Sequence, residues 1–381
     1  MIEFGHSQAE QAFRAEARAW LEANIPTETL PSGDTTEGYA RHLEWERQLF
    51  DAGWAVPSWP KAYGGREASL FEWLIFEEEY YRAGAPNRVT QNGIFLLAPT
   101  LFEFGTEEQK ERILRPMARG DYSWAQGWSE PNAGSDLASV RSTAVRDEEA
   151  GGWRLSGQKT WCTRAAWCDG MYGLFKTDPD APKKHQGLTY FMVDLKAEGV
   201  TVRPFGRLDG DDGFAEIFLD EVFVPDRDVL GQPNNGWKVA MATTSSERGL
   251  TLRSPGRFLA ASQRLADLYQ ANRDVASPAT RDAVAQSLIE AEAYRLFTLR
   301  TATRISQGQA VGAESSLTKL FWSEMDVELH RTALKLLGPA ALEDNAWTRA
   351  WQFSLAGPIY AGTNEIQRNV VARRVLGLPR S

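Results

Sequence analysis

Cysteine is nearly absent from this chain: Cys162 and Cys168 are its only two in 381 residues, too few and too close together for a disulfide framework. Histidine is almost as scarce, at four, and neither HExxH nor CxxC occurs, so the usual ligand spacings of a metal centre are missing and no metal is expected. No apolar run is long enough to span a bilayer, and the N-terminus lacks a basic segment followed by an apolar one, which points to a cytoplasmic protein. An excess of basic charge is also absent. The formal net charge is −9, which argues against nucleic acid or an anionic membrane as a main partner but leaves room for an anionic small ligand held by local Arg and Lys.

What is present is a soluble, globular composition, 43% hydrophobic and 24% charged, in a chain long enough for a large core and one to three domains. Residues 1–122 read as helical. Ser7 with Glu10 and Thr106 with Gln109 form capping-box patterns, and helices are predicted over 37–52 and 69–82. From 123 to 233 the pattern changes to short runs rich in β-branched and aromatic residues between Gly, Pro and Asp. Strands are expected at 153–155, 158–163, 171–176, 188–195, 200–204 and 214–224, and with no long helix between them an antiparallel sheet or barrel is favoured over a parallel α/β sheet. Residues 234–381 return to helical periodicity, with helices predicted at 236–270, 279–307, 314–337 and 364–376. The expected fold is α+β and multidomain: helical, then β, then helical.

Chemistry concentrates in Gln126–Asp136, QGWSEPNAGSD. Pro131 fixes φ and Gly134 tolerates positive φ, so the loop can turn sharply and offer backbone N–H groups and the Ser129 and Ser135 hydroxyls to a ligand. An ordinary polar turn would have the same composition. The string resembles the TEPxxGSD signature of the acyl-CoA dehydrogenase family, with Ser129 for threonine, and three more stretches match in order. GQKTWCTRA (157–165) is similar to the family's GxKxWITN strand, NNGWKVAMATTSSERG (234–249) to the start of its pocket-lining helix, and IYAGTNEIQRNVVARRVLG (359–377) to its IYEGTNxIQR segment.

The resemblance implies the acyl-CoA dehydrogenase fold, FAD as cofactor, an acyl-CoA substrate, electron-transfer flavoprotein as acceptor, and a homo- or hetero-oligomer, dimer or tetramer. It puts Trp161 against the flat isoalloxazine ring, Ser129 and Thr163 at its polar edges, and Gln126, Trp128, Thr363 and Glu365 among the flavin contacts. A core tryptophan is the alternative for Trp161. Ser135 falls near the pantetheine arm, and Arg248 and Ala361 at the substrate.

The base departs from the commonest family pattern. The glutamate of the YEGTN-type segment is Ala361 here, yet a base is still required to take the weakly acidic α-proton. The family's second arrangement, with the glutamate on the pocket-lining helix as in isovaleryl-CoA and long-chain enzymes, matches Glu247, followed by Arg248. A solvated helix glutamate in an ion pair is the alternative, but Thr243, Thr244, Leu250 and Thr251 at the pairing positions are not basic. Two further elements are replaced: DVASPATRD (274–282) stands where an RxTFG-like motif would continue, and LKLLGPAAL (334–342) replaces the QxxGGxG turn, so the hold on the AMP half of FAD differs. Similar losses occur in heteromeric steroid side-chain enzymes of the family. The readings are therefore an active FAD-dependent acyl-CoA dehydrogenase, with bulky or branched acyl chains, and a silent subunit completing a partner's flavin site. A flavin monooxygenase on the same fold is disfavoured, having no need of a thioester base.

Overall fold

The computed structural model describes residues 7–247, 254–309 and 312–379. Helices α1 (Gln8–Asn24), α2 (Thr36–Asp51) and α3 (Leu70–Arg82) precede a π-helical turn, Asn92–Leu97, which runs into α4 (Ala98–Phe104) and then α5 (Glu107–Arg119). The strands are β1 (Trp124–Gly127), β2 (Thr143–Asp147), β3 (Gly152–Thr163), β4 (Gly170–Lys176), β5 (Leu188–Asp194), β6 (Val200–Phe205), β7 (Phe214–Pro225) and β8 (Val229–Leu230). Helices α6 (Gly236–Glu247), α7 (Pro255–Ala271), α8 (Pro278–Ser306), α9 (Glu314–Leu337), α10 (Ala346–Ser354) and α11 (Asn364–Val370) complete the chain. Among the described residues no helix is long and apolar enough to cross a membrane.

Local chemistry sets the boundaries. Ser7, Ser69 and Thr106 each cap a helix in a reciprocal capping box, satisfying donors that a helix start leaves open. The helix expected across 236–270 is instead two. Pro255 has no N–H to continue a helix and disfavours helical backbone at Ser254, which sits outside the helix and caps α7 by accepting from Gly256 N–H.

Two compact units form, and neither is one continuous piece of chain. The sheet unit takes Glu28–Glu67 and Pro86–Glu247; the helical unit takes Met1–Thr27, Ala68–Ala85 and Arg248–Ser381. In the sheet unit the strand order is β6-β7-β3-β2-β4-β5-β8, with β1 beside β4. Most pairings are antiparallel as expected, but β1 and β2 each run parallel to β4, so the sheet is mixed. β3 unites two stretches that the sequence separated at Gly157. That glycine has φ 148°, and a Cβ there would lie 2.2 Å from Ser142 Oγ, so only glycine lets β2 and β3 approach. Leu155, Met171, Phe175, Phe191 and Ile217 fill the core of the sheet.

In the helical unit α3 and α8 pack on α7, and α9 packs on α8. Leu265, Leu329 and Ala333 form one apolar cluster; Phe258, Tyr294, Trp322 and Met325 form another, with Phe258 edge-on to Tyr294 at 5.3 Å. Between α1 and α3, Glu79 accepts from Arg14, Arg18 and Arg82. Burial alone would raise its carboxyl, but those three guanidinium groups win and hold it at about 2.

Candidate active site

The loop after β1 is anchored by a buried ion pair. Lys159, fully buried on β3, donates to Glu130 Oε1 at 2.8 Å and to the Leu174 carbonyl at 2.8 Å, with its ammonium 4.6 Å from the Phe175 ring centre. Glu130 also accepts from the backbone N–H groups of Arg141 at 2.6 Å and Ser142 at 3.0 Å. Burial would raise this carboxyl, but Lys159 and those amides hold it below the ordinary range, while desolvation pulls the Lys159 ammonium down. One residue earlier, Ser129 accepts through its carbonyl from Thr160 N–H at 2.9 Å, stitching the loop to the strand that carries Trp161 and Thr163. The turn itself closes through Ala133 N–H to Glu130 C=O at 3.0 Å, with Pro131 and Asn132 at its centre. Positive φ at Gly134 is not used: Gly134 is not among the left-handed residues, because the Pro131–Asn132 turn already reverses the chain. Ser135 is exposed beyond it.

Strict strand alternation would put Lys159 and Trp161 on one face. A bulge between Lys159 and Cys162 separates them, and Trp161 takes the left-handed φ of 59°. Lys159 turns inward while Trp161 stands 61% exposed, braced edge-on by Phe205 at 5.2 Å and Phe214 at 5.6 Å. Trp161 is therefore not a core tryptophan. Thr163 pairs with Phe214 across β7, and just beyond it Arg164 donates to Asp34 at 2.6 Å, which also takes Arg207 at 2.6 Å. Asp34 thus fixes the end of β3 to the β6–β7 connection. Cys162 and Cys168 are free and buried, and burial pushes their thiols up to about 12 and about 11.

Gln126 and Trp128 precede the turn. Gln126 Nε2 and Trp128 Nε1 are buried and donate to no acceptor among the described residues; Trp128 lies beside the Tyr190 hydroxyl without the geometry of a hydrogen bond. Glu247 is the last residue of α6, and Arg248 lies outside the described residues.

Ala361, Thr363 and Glu365 belong to the helical unit. Ala361 and Gly362 are both left-handed, with φ of 57° and 79°. Their carbonyls accept from Gln367 Nε2 at 3.1 and 3.2 Å, whereas Ala361 N–H donates to no acceptor among the described residues. Thr363 caps α11, accepting from Ile366 N–H. Glu365, in the first turn of α11, has its carboxyl lowered by its own amide N–H and by the Thr363 hydroxyl. Under this turn Asn364 accepts from the buried Lys319 at 2.7 Å and from Ser323 at 3.1 Å. The partnerships of Lys159 with Glu130 and of Lys319 with Asn364 were not evident from the sequence. A lysine at an otherwise inward strand position, and one amid buried helix residues, were the available signals.

A helical–β–helical chain with this loop, this exposed strand tryptophan and this capped C-terminal turn is an acyl-CoA dehydrogenase: the chain belongs to that family. Its N-terminal, middle and C-terminal domain models match residues 7–121, 125–222 and 234–376. Among its relatives is the acyl-CoA dehydrogenase IpdE1 of Mycolicibacterium smegmatis, 38% identical, with 97% of this chain and 98% of that protein covered. IpdE1 of Mycobacterium tuberculosis is 35% identical over the same shares. Among solved structures, the Tcur3481-Tcur3483 steroid ACAD matches with a TM-score of 0.88 at 29% identity, covering 100% of both chains. The ChsE4-ChsE5 complex from Mycobacterium tuberculosis matches with a TM-score of 0.83 at 28% identity, again over 100% of both chains.

The enzyme is an oxidoreductase and FAD is its cofactor. The residues suit that group: an outward indole supplies a flat packing face, and a buried amide N–H without a protein acceptor suits the polar rim of a flavin.

Proposed function

We propose that this enzyme dehydrogenates the α,β-bond of a bulky acyl-CoA thioester to the 2-enoyl-CoA, with Glu247 as the base. FAD, when bound, supplies the acceptor for the hydride equivalent leaving the β-carbon. Trp161 offers the face on which the ring packs, Ser129, Thr163, Gln126 and Trp128 its polar contacts, and Thr363 and Glu365 further contacts. The Ala361 N–H, which donates to no acceptor among the described residues, is available to polarise the thioester carbonyl and so acidify the α-proton. Ala361 has no side-chain base, which leaves the proton to Glu247, with Arg248 and Ser135 holding the substrate. The observation that carries this reading is Trp161, turned out of the sheet by a bulge and left 61% exposed. Electron-transfer flavoprotein is the proposed electron acceptor and the cytoplasm the proposed location.

A bulky acyl group is supported by Ala361, which leaves more room than a glutamate, and by the likeness to a steroid ACAD. The test is Glu247→Gln, which keeps shape and removes the base: FAD stays bound and its bleaching by acyl-CoA is lost. Bleaching at near-parental rate would remove Glu247 from the mechanism. A second reading has support of its own. The replaced segments at 274–282 and 334–342, and the likeness to the ChsE4-ChsE5 complex, favour a hetero-oligomer in which this chain completes a partner's flavin site. A purified chain that is colourless and inert to every acyl-CoA would favour that reading.

A further inference from the structure

The two faces of β1 differ in kind. Ala125 belongs to the apolar cluster of the sheet with Met171 and Phe175, and a Cβ on Gly127 would stand 2.7 Å from the Met171 sulfur. Alternation sends Trp124, Gln126 and, one step past the strand, Trp128 to the opposite side. Each of these three carries a buried N–H that donates to no acceptor among the described residues: Trp124 Nε1, Gln126 Nε2 and Trp128 Nε1. Neighbours in the row are roughly 7 Å apart, so it extends roughly 13 Å along the strand.

The elements over this face lie in the same unit. The π-helical turn Asn92–Leu97 packs on β1 and also on α4 and α6. A Cβ on Gly93 would be 3.5 Å from Trp124 Cδ1, the carbon bonded to Nε1, so the Trp124 donor sits under that turn. At the other end Trp128 lies by Tyr190, whose hydroxyl is 3.4 Å from Thr243 Oγ1 on α6, itself 2.8 Å from Thr100 Oγ1 on α4. Thr243 is one turn before Glu247 on α6. A π-helical turn lodges an extra residue in a helix, a feature concentrated at functional sites.

Buried donors without acceptors are costly, and native structures keep few of them. A plain alkyl chain has nothing to offer such a row. We propose that this face receives the acyl portion of the thioester, and that the acyl group bears ketone or hydroxyl oxygens beyond the carbons that react. This inference rests on the acyl-CoA reading above. Gln126 and Trp128 are proposed also as flavin contacts, whereas Trp124 has no such second role, so the inference stands first on the Trp124 donor. The donors are uncharged, which suits a neutral oxygen, since a buried carboxylate needs a cation beside it.

The test compares octanoyl-CoA with an analogue of equal length in which a chain methylene is replaced by a carbonyl. Calorimetry with redox-inert thioether versions measures binding to the full-length protein as purified, and anaerobic bleaching of its flavin by the thioesters measures reaction. The ketone analogue is expected to bind about tenfold tighter, a difference of about 1.4 kcal/mol. Trp124→Phe, which keeps an aromatic ring and deletes the N–H, should bring that ratio toward one. Equal binding of the two chains by the wild-type protein overturns the proposal and means that water satisfies the donors. If neither thioester bleaches the flavin while the ketone analogue still binds preferentially, the dehydrogenase reading fails and this inference stands. Equal binding with equal bleaching fails the inference and leaves the reading in place.

Discussion

The loop at 126–136 and the turn at 358–365 are both braced from beneath by a buried lysine, yet their own anchoring residues differ in charge. In the sheet unit the anchor is Glu130, a carboxylate that takes Lys159 and two backbone amides. In the helical unit it is Asn364, a carboxamide that accepts from Lys319 and Ser323 and donates to Glu324 at 3.2 Å, helped by Gln367 on the carbonyls of Ala361 and Gly362. An amide gives and takes hydrogen bonds without a charge of its own to compensate. A buried carboxylate only accepts, so it must be matched by a cation and is vulnerable to the loss of that partner. The sheet-unit anchor should therefore be the more fragile of the two.

Cutting each anchor tests this directly. Glu130→Ala leaves the Lys159 ammonium buried without its counter-charge and should cost about 3–5 kcal/mol in denaturant unfolding. Asn364→Ala removes a neutral partner and should cost about 1–3 kcal/mol. Equal losses would break the comparison. Glu79 provides a charged anchor within the helical unit and sharpens the contrast with pH. Its folded pKa, at about 2, lies below that of the unfolded carboxyl, so the stability it contributes is present above the unfolded value of about 4.3 and is lost as pH falls toward the folded one. Acid titration of unfolding should show that limb in the wild type, and Glu79→Gln should flatten it; an unchanged limb would remove Glu79 as its source. The smallest effect is expected at Ala361. Glycine there relieves a left-handed alanine but adds freedom to the unfolded chain, so Ala361→Gly should raise stability by less than about 1 kcal/mol. A loss in thermal unfolding would show that the alanine methyl contributes packing.

Much of this was legible in the sequence because it is local. Capping residues announced α1 and α5, and the helical periodicity of 279–307 and 314–337 matches α8 and α9 closely. The succession of helical, β and helical regions was equally plain. What the sequence hid depends on partners far along the chain. β1 and β2 are short, and β1 has no antiparallel partner in the sheet. The bulge that parts Lys159 from Trp161 is a pairing irregularity against β7, invisible in β3 alone. Alternation could not show that Trp161 faces outward while Lys159 is buried, nor that Glu130 would meet that lysine. Of the two residues expected to turn the loop, Pro131 does so, with Asn132, and Gly134 does not take a positive φ.

The helical unit is assembled from three separated pieces of chain, and that has a consequence for its biosynthesis. On the ribosome every residue of the sheet unit has been made once Glu247 is added. Helices α1 and α3 have by then been waiting since early in translation, without the α7 that packs against α3 in the finished protein. At roughly 5–20 residues per second, the last third of the chain takes roughly 7–27 s to be made. During that interval Ala17, Leu21, Trp73, Phe76 and Tyr80, all buried in the end, have only part of their eventual surroundings. Nascent chains arrested just after Glu247 should therefore present these two helices to trigger-factor-like chaperones, and full-length chains should not.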